Sequence, residues 1–366
     1  MGKRLRLILV GMLFVSISFG VVSAQEVPFT VQTIRVEDMP TYDIKLAPDG
    51  RTAAIYIGPT SQSLLNLPLV EYRVDENLLP IRLIDLATGS EIVRLSGPTD
   101  YITDVAFTPD GTRLASYHRN GDIYLWDLAS GESIQRLTGL MGSARLAFLP
   151  DGQTLVAYMD ISLVGHFLLW DMDSQHMTRI WRAPYRSLGD LQLTQVPANL
   201  DYRYPVFAVS PDGALLATAT ANGEVVVWDT TTLQQTVVQP KAAREGRFNV
   251  RSVVFTGSSQ TLVYFDSLSE QTHFWDVAAQ SEAAAIASGS PFFGVAPSGD
   301  TIAWATREAI WFARLDQPNL ATKVLDFPDT IQVLAPVVTF IDDDRFIVGG
   351  GAENSEGSVI YLIALR

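Results

Sequence analysis

The chain has 366 residues, with 40 acidic against 26 basic, a formal net charge of −14 and no cysteine. That charge opposes nucleic acid and anionic lipid surfaces, which are bound by neutralising phosphates with Lys and Arg, and the missing thiols exclude disulfides, thiolate metal sites and cysteine nucleophiles. With 47% hydrophobic residues, stability must come from burial, in one large core or several small ones in series.

The chain begins Met-Gly-Lys-Arg-Leu-Arg, runs through an apolar stretch from Leu7 to Val22, and reaches the small pair Ser23-Ala24 before Gln25. A basic start, an apolar middle and a small-residue end make a secretory signal peptide, so residues 1–24 are expected to be removed and 25–366 exported, as a secreted, periplasmic or cell-envelope protein. An unprocessed anchor is the alternative, because Leu5 to Ala24 is about long enough to span a bilayer. No second apolar span follows, so cleavage leaves no integral membrane segment. Loss of Lys3, Arg4 and Arg6 takes the charge to about −17.

The next element, FTVQTIRV from Phe29 to Val36, reads as a strand. Behind it the sequence repeats. Residues 101–137 (YITDVAFTPDGTRLASYHRNGDIYLWDLASGESIQRL) and 206–240 (VFAVSPDGALLATATANGEVVVWDTTTLQQTVVQP) each hold four short β-rich runs, the first ending at Pro-Asp-Gly and the third at Trp-Asp. Aligning on the first turn gives Asp49-Gly50, Asp110-Gly111, Asp151-Gly152, Asp212-Gly213, the degenerate Gly257-Ser258, Ser298-Gly299 and the acidic Asp342-Asp343-Asp344. Trp-Asp recurs at Trp126, Trp170, Trp228 and Trp275, with weaker versions at Ile84-Asp85, near Trp311 and near Leu362.

These marks define units near 42–95, 101–137, 143–181, 204–240, 248–287, 290–325 and 332–366. The last stops after three strands, so residues 27–36 are expected to supply its fourth. The fold class is therefore all-β: a single seven-bladed β-propeller domain over 25–366, with four-stranded antiparallel blades and a ring closed by an N-terminal strand that completes the last blade. The innermost strands support the ring. Pairs such as Ile44/Leu46, Val105/Phe107 and Val338/Phe340 are bulky, while the residues between them (Ala106, Ala147, Ala208, Gly294) are mostly small, so each blade offers a bulky face to one neighbour and a small one to the other.

Residues 95–126 (LSGPTDYITDVAFTPDGTRLASYHRNGDIYLW) resemble the WD-repeat family, and the resemblance extends over roughly 27–366 in a degenerate form, that of an exported bacterial member. It implies a propeller that serves as an interaction platform; the six-bladed TolB-like propellers are a neighbouring architecture. The Gly-His pair common in that family is replaced by Gly97-Pro98, which leaves its buried hydrogen-bond network to Trp126 expected to be incomplete, and Asn120 and Asn222 stand where the family prefers Asp.

Catalytic signatures are sparse. His118, His166, His176 and His273 lack metal-ligand spacing and read as turn or strand-surface residues. There is no HExxH, no GxSxG and no P-loop lysine in the expected mature chain, so no cofactor is expected and the protein reads as a non-enzyme. Asp342 to Asp344 have the clustered oxygens Ca²⁺ favours, yet they stand at a repeat turn and read as solvated. Asp43 and Asp104, at equivalent positions of adjacent units, point towards one end of the central channel, where the other units place Arg145, Val206, Ser252, Phe292 and Val337. They carry the alternative reading, a propeller hydrolase or lactonase with an axial divalent cation. The Trp-Asp tryptophans read as blade core rather than a sugar-stacking row.

Loop length carries the functional expectation. Insertions at Gly58–Pro80, Arg182–Arg203, Lys241–Arg247 and Gly351–Gly357 all fall between second and third strands or between units, on one face of the disc, while the turns of the other face are tight. The two longest bring Tyr72, Arg73, Tyr185, Arg186, Tyr202, Arg203 and Tyr204, residue types that dominate interface energetics. The expectation is a scaffold that holds a protein, or a glycan, on that face. A subunit that only assembles within a larger envelope complex is a third reading, and would also use the tight-turn face or the rim.

Overall fold

A computed structural model describes residues 29–36, 43–56, 80–97, 100, 102–138, 144–161, 164–174, 176–182, 206–219, 224–232, 234–239, 250–316, 321–328, 336–350 and 358–365. β1 (Phe29–Val36) comes first. Blade 1 is β2 (Asp43–Leu46), β3 (Thr52–Tyr56), β4 (Ile81–Asp85) and β5 (Glu91–Leu95). Blade 2 is β6 (Ile102–Phe107), β7 (Arg113–His118), β8 (Ile123–Asp127) and β9 (Ser133–Leu137). Blade 3 is β10 (Ala144–Phe148), β11 (Thr154–Ile161), β12 (Val164–Asp171) and β13 (His176–Arg182). Blade 4 is β14 (Phe207–Val209), β15 (Leu215–Ala219), β16 (Val225–Asp229) and β17 (Gln235–Gln239). Blade 5 is β18 (Val250–Phe255), β19 (Thr261–Asp266), β20 (Gln271–Asp276) and β21 (Ser281–Ile286). Blade 6 is β22 (Phe293–Val295), β23 (Thr301–Ala305), β24 (Ala309–Arg314) and β25 (Thr322–Asp326), and blade 7 begins with β26 (Val337–Phe340), β27 (Arg345–Gly350) and β28 (Ser358–Leu365).

Each blade is an antiparallel sheet in chain order, and the seventh is completed by β1 in the order β1-β28-β27-β26. The N-terminal strand thus closes the ring, pairing Phe29 with Leu365 through to Val36 with Ser358. Closure leaves the ring without an unpaired terminal blade, which is what an apolar sheet face needs if it is not to meet water.

Among the described residues hydrophobic burial is divided among seven clusters, and each straddles one pair of neighbouring blades. The bulky side of every inner strand turns to the preceding blade: Val105 packs with blade 1, Leu146 and Phe148 with blade 2, Val338 and Phe340 with blade 6, and Ile44 with blade 7. The small side faces the following blade, and at Gly294 the reason is visible. A Cβ there would stand 2.7 Å from the Val338 carbonyl oxygen of blade 7.

The Trp-Asp tryptophans belong to these clusters. Trp126, Trp170 and Trp228 are buried against the preceding blade, and Trp275 is half-buried against blade 4. In the weaker repeats the register fixes the position to the residue. The residue opposite the first apolar residue of the second strand is Ala313 in blade 6 and Ile363 in blade 7, two residues beyond Trp311 and one beyond Leu362. Trp311 pairs with Trp304 farther along the strand.

The first-to-second strand turns close by side-chain capping. Asp49 Oδ1 accepts the N–H groups of Arg51 and Thr52, both at 2.8 Å, and Gly50 adopts a left-handed φ of 63°. Asp110, Asp151 and Asp212 repeat the arrangement. In the degenerate turn of blade 5 the left-handed position falls on Ser259, at φ 60°. In blade 7, Asp342 accepts the N–H groups of Asp344 and Arg345 and the Arg345 side chain, and Asp343 accepts the Ser298 N–H of blade 6 at 2.7 Å. The three aspartates therefore close a turn, with Asp343 and Asp344 exposed.

Candidate functional site

Two faces follow from the connectivity. First-to-second and third-to-fourth strand turns lie on one face, and second-to-third turns and blade-to-blade links on the other. On the first face the first-to-second connections of blades 1 to 6, residues 47–51, 108–112, 149–153, 210–214, 256–260 and 296–300, all have the same length, and that of blade 7, 341–344, is one residue shorter. Its third-to-fourth turns are capped by Asp85, Asp127, Asp171, Asp229 and Asp276, each accepting at least one main-chain N–H two or three residues ahead. These bonds hold Asp127, Asp171 and Asp229 below the usual carboxylate range. Neighbouring turns are tied as well, since Gly257 N–H donates to the Pro297 oxygen and Asp212 N–H to Ser259 Oγ. Polar groups on this face are largely spent on the protein itself.

The opposite face carries the long connections, residues 57–80 between β3 and β4 and 183–206 between β13 and β14. Tyr72, Arg73, Tyr185, Arg186, Tyr202, Arg203 and Tyr204 all fall in these connections and lie outside the described residues, as does the N-terminal segment 1–24.

At the start of the inner strands, where this face meets the central channel, blades 1 to 3 assemble a polar cluster. Asp43 lies opposite Tyr56, Asp104 opposite Tyr117 and Arg145 opposite Tyr158, so one repeat position brings a charged residue and a buried tyrosine three times running. Asp104 is 1% exposed and bonded from both sides. Its Oδ2 accepts the Leu146 N–H of blade 3 at 2.7 Å, and its Oδ1 is approached by Arg145 Nη1 at 3.4 Å, the Tyr56 hydroxyl at 3.5 Å and Lys45 Nζ at 3.8 Å. Burial raises the Asp43 carboxyl above its ordinary range and Asp104 adds to the effect, opposed by Arg145 and Lys45. The Tyr56 hydroxyl, buried between two carboxylates, is pushed well above the usual phenol range.

This arrangement differs from the axial cage that a divalent cation needs. Two carboxylates face two cations, Asp104 spends its oxygens on a backbone N–H and on bases, and of the other equivalent positions Val206, Phe292 and Val337 bring no side-chain oxygen and Ser252 a single hydroxyl. Among the described residues no group of three or more His, Asp or Glu side chains is placed to hold a metal ion. Lys45, Tyr56 and Arg145 were not legible as partners of Asp43 and Asp104; the signal was the tyrosine repeated at Tyr56, Tyr117 and Tyr158.

The histidines are corrected at one position. His118 is fully buried rather than on a surface, because it completes the hydrogen-bond network that Gly97-Pro98 was expected to leave open. Trp126 Nε1–H donates to Ser116 Oγ at 2.9 Å, Ser116 Oγ lies 2.9 Å from His118 Nε2, and His118 Nδ1 lies 3.1 Å from the Asp100 carbonyl. A carbonyl only accepts, so Nδ1 carries the proton, and Nε2 accepts from the serine. The imidazole comes from the end of β7 instead of the loop before the blade. In blade 4 the described residues show the first link, Trp228 Nε1–H to Thr218 Oγ1 at 3.3 Å. His166 and His273 are half-buried and His176 is exposed, with His273 paired to Glu282.

Residues 89–127 and 200–229 match the family described as WD domain, G-beta repeat. Both segments end on Trp-Asp, at Trp126-Asp127 and Trp228-Asp229, the third strands of blades 2 and 4. Similar curated proteins include the small ribosomal subunit protein RACK1z of Arabidopsis thaliana, 27% identical over 138 residues, which are 37% of this chain and 41% of that protein. RACK1 of Glycine max is 28% identical over 138 residues, with the same shares, and the mouse telomerase protein component 1 is 32% identical over 129 residues, 35% of this chain and 4% of that protein. The match thus spans about two-fifths of the RACK1 chains. Among solved structures, the β-propeller domain of Myceliophteria thermophila Cps50 (Swd1) superposes with a TM-score of 0.64 at 13% identity, over 91% of this chain and all of that one. That likeness shows the propeller architecture, and two segments of the seven-bladed ring match the WD-repeat model.

Proposed function

We propose that the chain is a non-enzymatic scaffold, exported to the periplasm, cell envelope or medium of a bacterial source, that holds a protein partner on its long-connection face. The observation that carries this reading is the contrast between the faces. One is closed largely by short capped turns, and the other receives the two connections of more than twenty residues, opening around a channel mouth where Lys45 and Arg145 keep side chains 44% and 29% exposed. A rigid ring that varies only in the loops of one face presents that face to partners. Tyr72, Arg73, Tyr185, Arg186, Tyr202, Arg203 and Tyr204 are the anchors, with large flat side chains and forked donors suited to a protein surface and, secondarily, to a glycan. Export rests on the basic, apolar and small-residue succession of residues 1–24.

The test is retention of partners from envelope and culture fluid of the source organism. Residues 25–366 are compared with a variant in which Tyr72, Arg73, Tyr185, Arg186, Tyr202 and Arg203 are all Ala, after strand content shows both to be folded. A partner held by the unmodified chain alone is the expected result. Equal retention by both, or by neither, overturns the assignment of the face. N-terminal sequencing of the exported chain tests the leader, with Gln25 as the expected first residue.

A further inference from the structure

Blade 6 keeps a tryptophan that the repeat does not use. In blades 2 to 5 a leucine of the second strand stands opposite a tryptophan that packs between blades; in blade 6 that place holds Ala313, 1% exposed, opposite Ile302. Trp311 stands two residues earlier on β24, on the same side of the strand and nearer the turn of residues 306–308. It is half-buried: part of the indole packs in the cluster between blades 5 and 6, and part lines a hollow of about 430 Å³ on the outer half of blade 6.

Around the indole the lining is mostly polar. Lys323 pairs with Trp311 across the ladder, and its Nζ lies 5.8 Å from the ring centroid and donates to both Asp326 oxygens, at 2.8 and 3.1 Å. Arg307 and Glu308 stand exposed on the turn, which Thr306 Oγ1 fixes by accepting the N–H groups of Glu308 at 3.2 Å and Ala309 at 3.1 Å. Two basic and two acidic side chains therefore flank one flat aromatic surface, and the hollow carries no net charge in a chain whose formal charge is −14.

Those groups select a ligand by elimination. An anion such as phosphate would meet Glu308 and Asp326. A cation would compete with Lys323, which already supplies the charge over the indole. A wholly apolar ligand would strip water from four charges without pairing them. A neutral sugar ring avoids all three costs: its C–H face covers an aromatic ring, while each hydroxyl can donate to a carboxylate and accept from an ammonium or guanidinium, bonds stronger than those between neutral partners. The volume lies within the range of small-ligand sites.

We propose that the hollow at Trp311 binds one pyranose unit of a neutral glycan, stacked on the indole and hydrogen-bonded to Lys323, Asp326, Arg307 and Glu308. The site uses none of the Tyr and Arg positions assigned to the partner-binding face and lies on another blade, so it stands or falls separately from that assignment.

Titration calorimetry of the folded chain with cellotetraose, N-acetylated chitotetraose and maltotetraose, three neutral pyranose chains that differ in linkage and substituent, is the test. At least one is expected to bind saturably. Trp311→Leu, which keeps an apolar filling for the cluster but removes the flat ring, should weaken that binding at least about tenfold, the loss expected of an anchor residue, while Trp311→Tyr retains most of it. Asp326→Asn, at a side chain 69% exposed, should weaken it several-fold without unfolding the chain. The variant with Tyr72, Arg73, Tyr185, Arg186, Tyr202 and Arg203 all Ala should bind the sugar as the unmodified chain does. Absence of binding by all three sugars overturns the proposal, as does equal affinity in Trp311→Leu. Displacement of the sugar by inorganic phosphate or tetramethylammonium would mark an ion site, and loss of binding in the six-Ala variant would put the sugar on the long connections; either result overturns it too.

Discussion

Asp104, at the start of the inner strand of blade 2, accepts the main-chain N–H of Leu146 in blade 3 at 2.7 Å. The same carboxylate is approached from blade 1 by Lys45 and Tyr56, so three successive blades are joined at one buried atom group beside the channel. Most of the ring is held by apolar contact, which is non-directional and tolerates sliding; a bonded carboxylate sets the relative height of the blades.

The consequence is measurable. Asp104→Ala leaves the Leu146 N–H without its acceptor and removes one of the two carboxylates that Arg145 and Lys45 face. The cost is about 2–4 kcal/mol, the range for breaking a buried, bonded charge pair. Urea unfolding at neutral pH checks it, and a loss under about 0.5 kcal/mol would show that Asp104 is no more than an exposed surface charge.

Much of this was legible in the sequence, and what was not has a physical cause. Pro-Asp-Gly and Trp-Asp mark places where backbone conformation or volume is nearly forced: a left-handed residue at Gly111, and a large ring filling the gap between blades at Trp126. β1 was readable because the last unit lacked a strand. The partners of Asp104 were not, because they come from three blades and depend on which way each inner strand turns. His118 was misread because its position in the sequence is that of an ordinary strand end; burial there follows from Ser116 and Trp126 needing a terminal acceptor and from the Asp100 carbonyl receiving its proton.

The His118 network makes stability depend on pH. Burial holds the imidazole below its ordinary pKa, partly offset by its bond to Asp100. A folded value below the unfolded one, about 6.5, means that the unfolded chain binds the proton first as pH falls. The stability contributed by neutral His118 is therefore fully present above about pH 6.5 and is lost as pH drops through the folded value. Paired urea titrations of the unmodified chain and His118→Gln between pH 7.5 and 5 should show the gap between them narrowing on acidification. A constant gap would mean that the ring is not proton-linked to folding. Ser116→Ala, which orphans Trp126 Nε1, costs about 1–3 kcal/mol at neutral pH.

The third-to-fourth strand turns supply a comparison within one molecule. Blade 2 places Gly131 at the left-handed position, φ 75°, where a Cβ would also come within 3.3 Å of a Val93 methyl. Blade 5 builds the same turn with Gln280 at φ 51°, exposed to solvent, after Asp276 has accepted the Ala279 N–H. A side chain in that conformation costs about 1–2 kcal/mol, and glycine returns part of the gain through about 0.5–1 kcal/mol of extra chain entropy in the unfolded state. Gln280→Gly should therefore stabilise the fold by about 0.5–1 kcal/mol, seen as a higher urea midpoint with an unchanged slope. Gly131→Ala should shift it the other way, and further, because strain and the Val93 contact act together. If both substitutions moved the midpoint in the same direction, backbone strain would not be what separates the two turns.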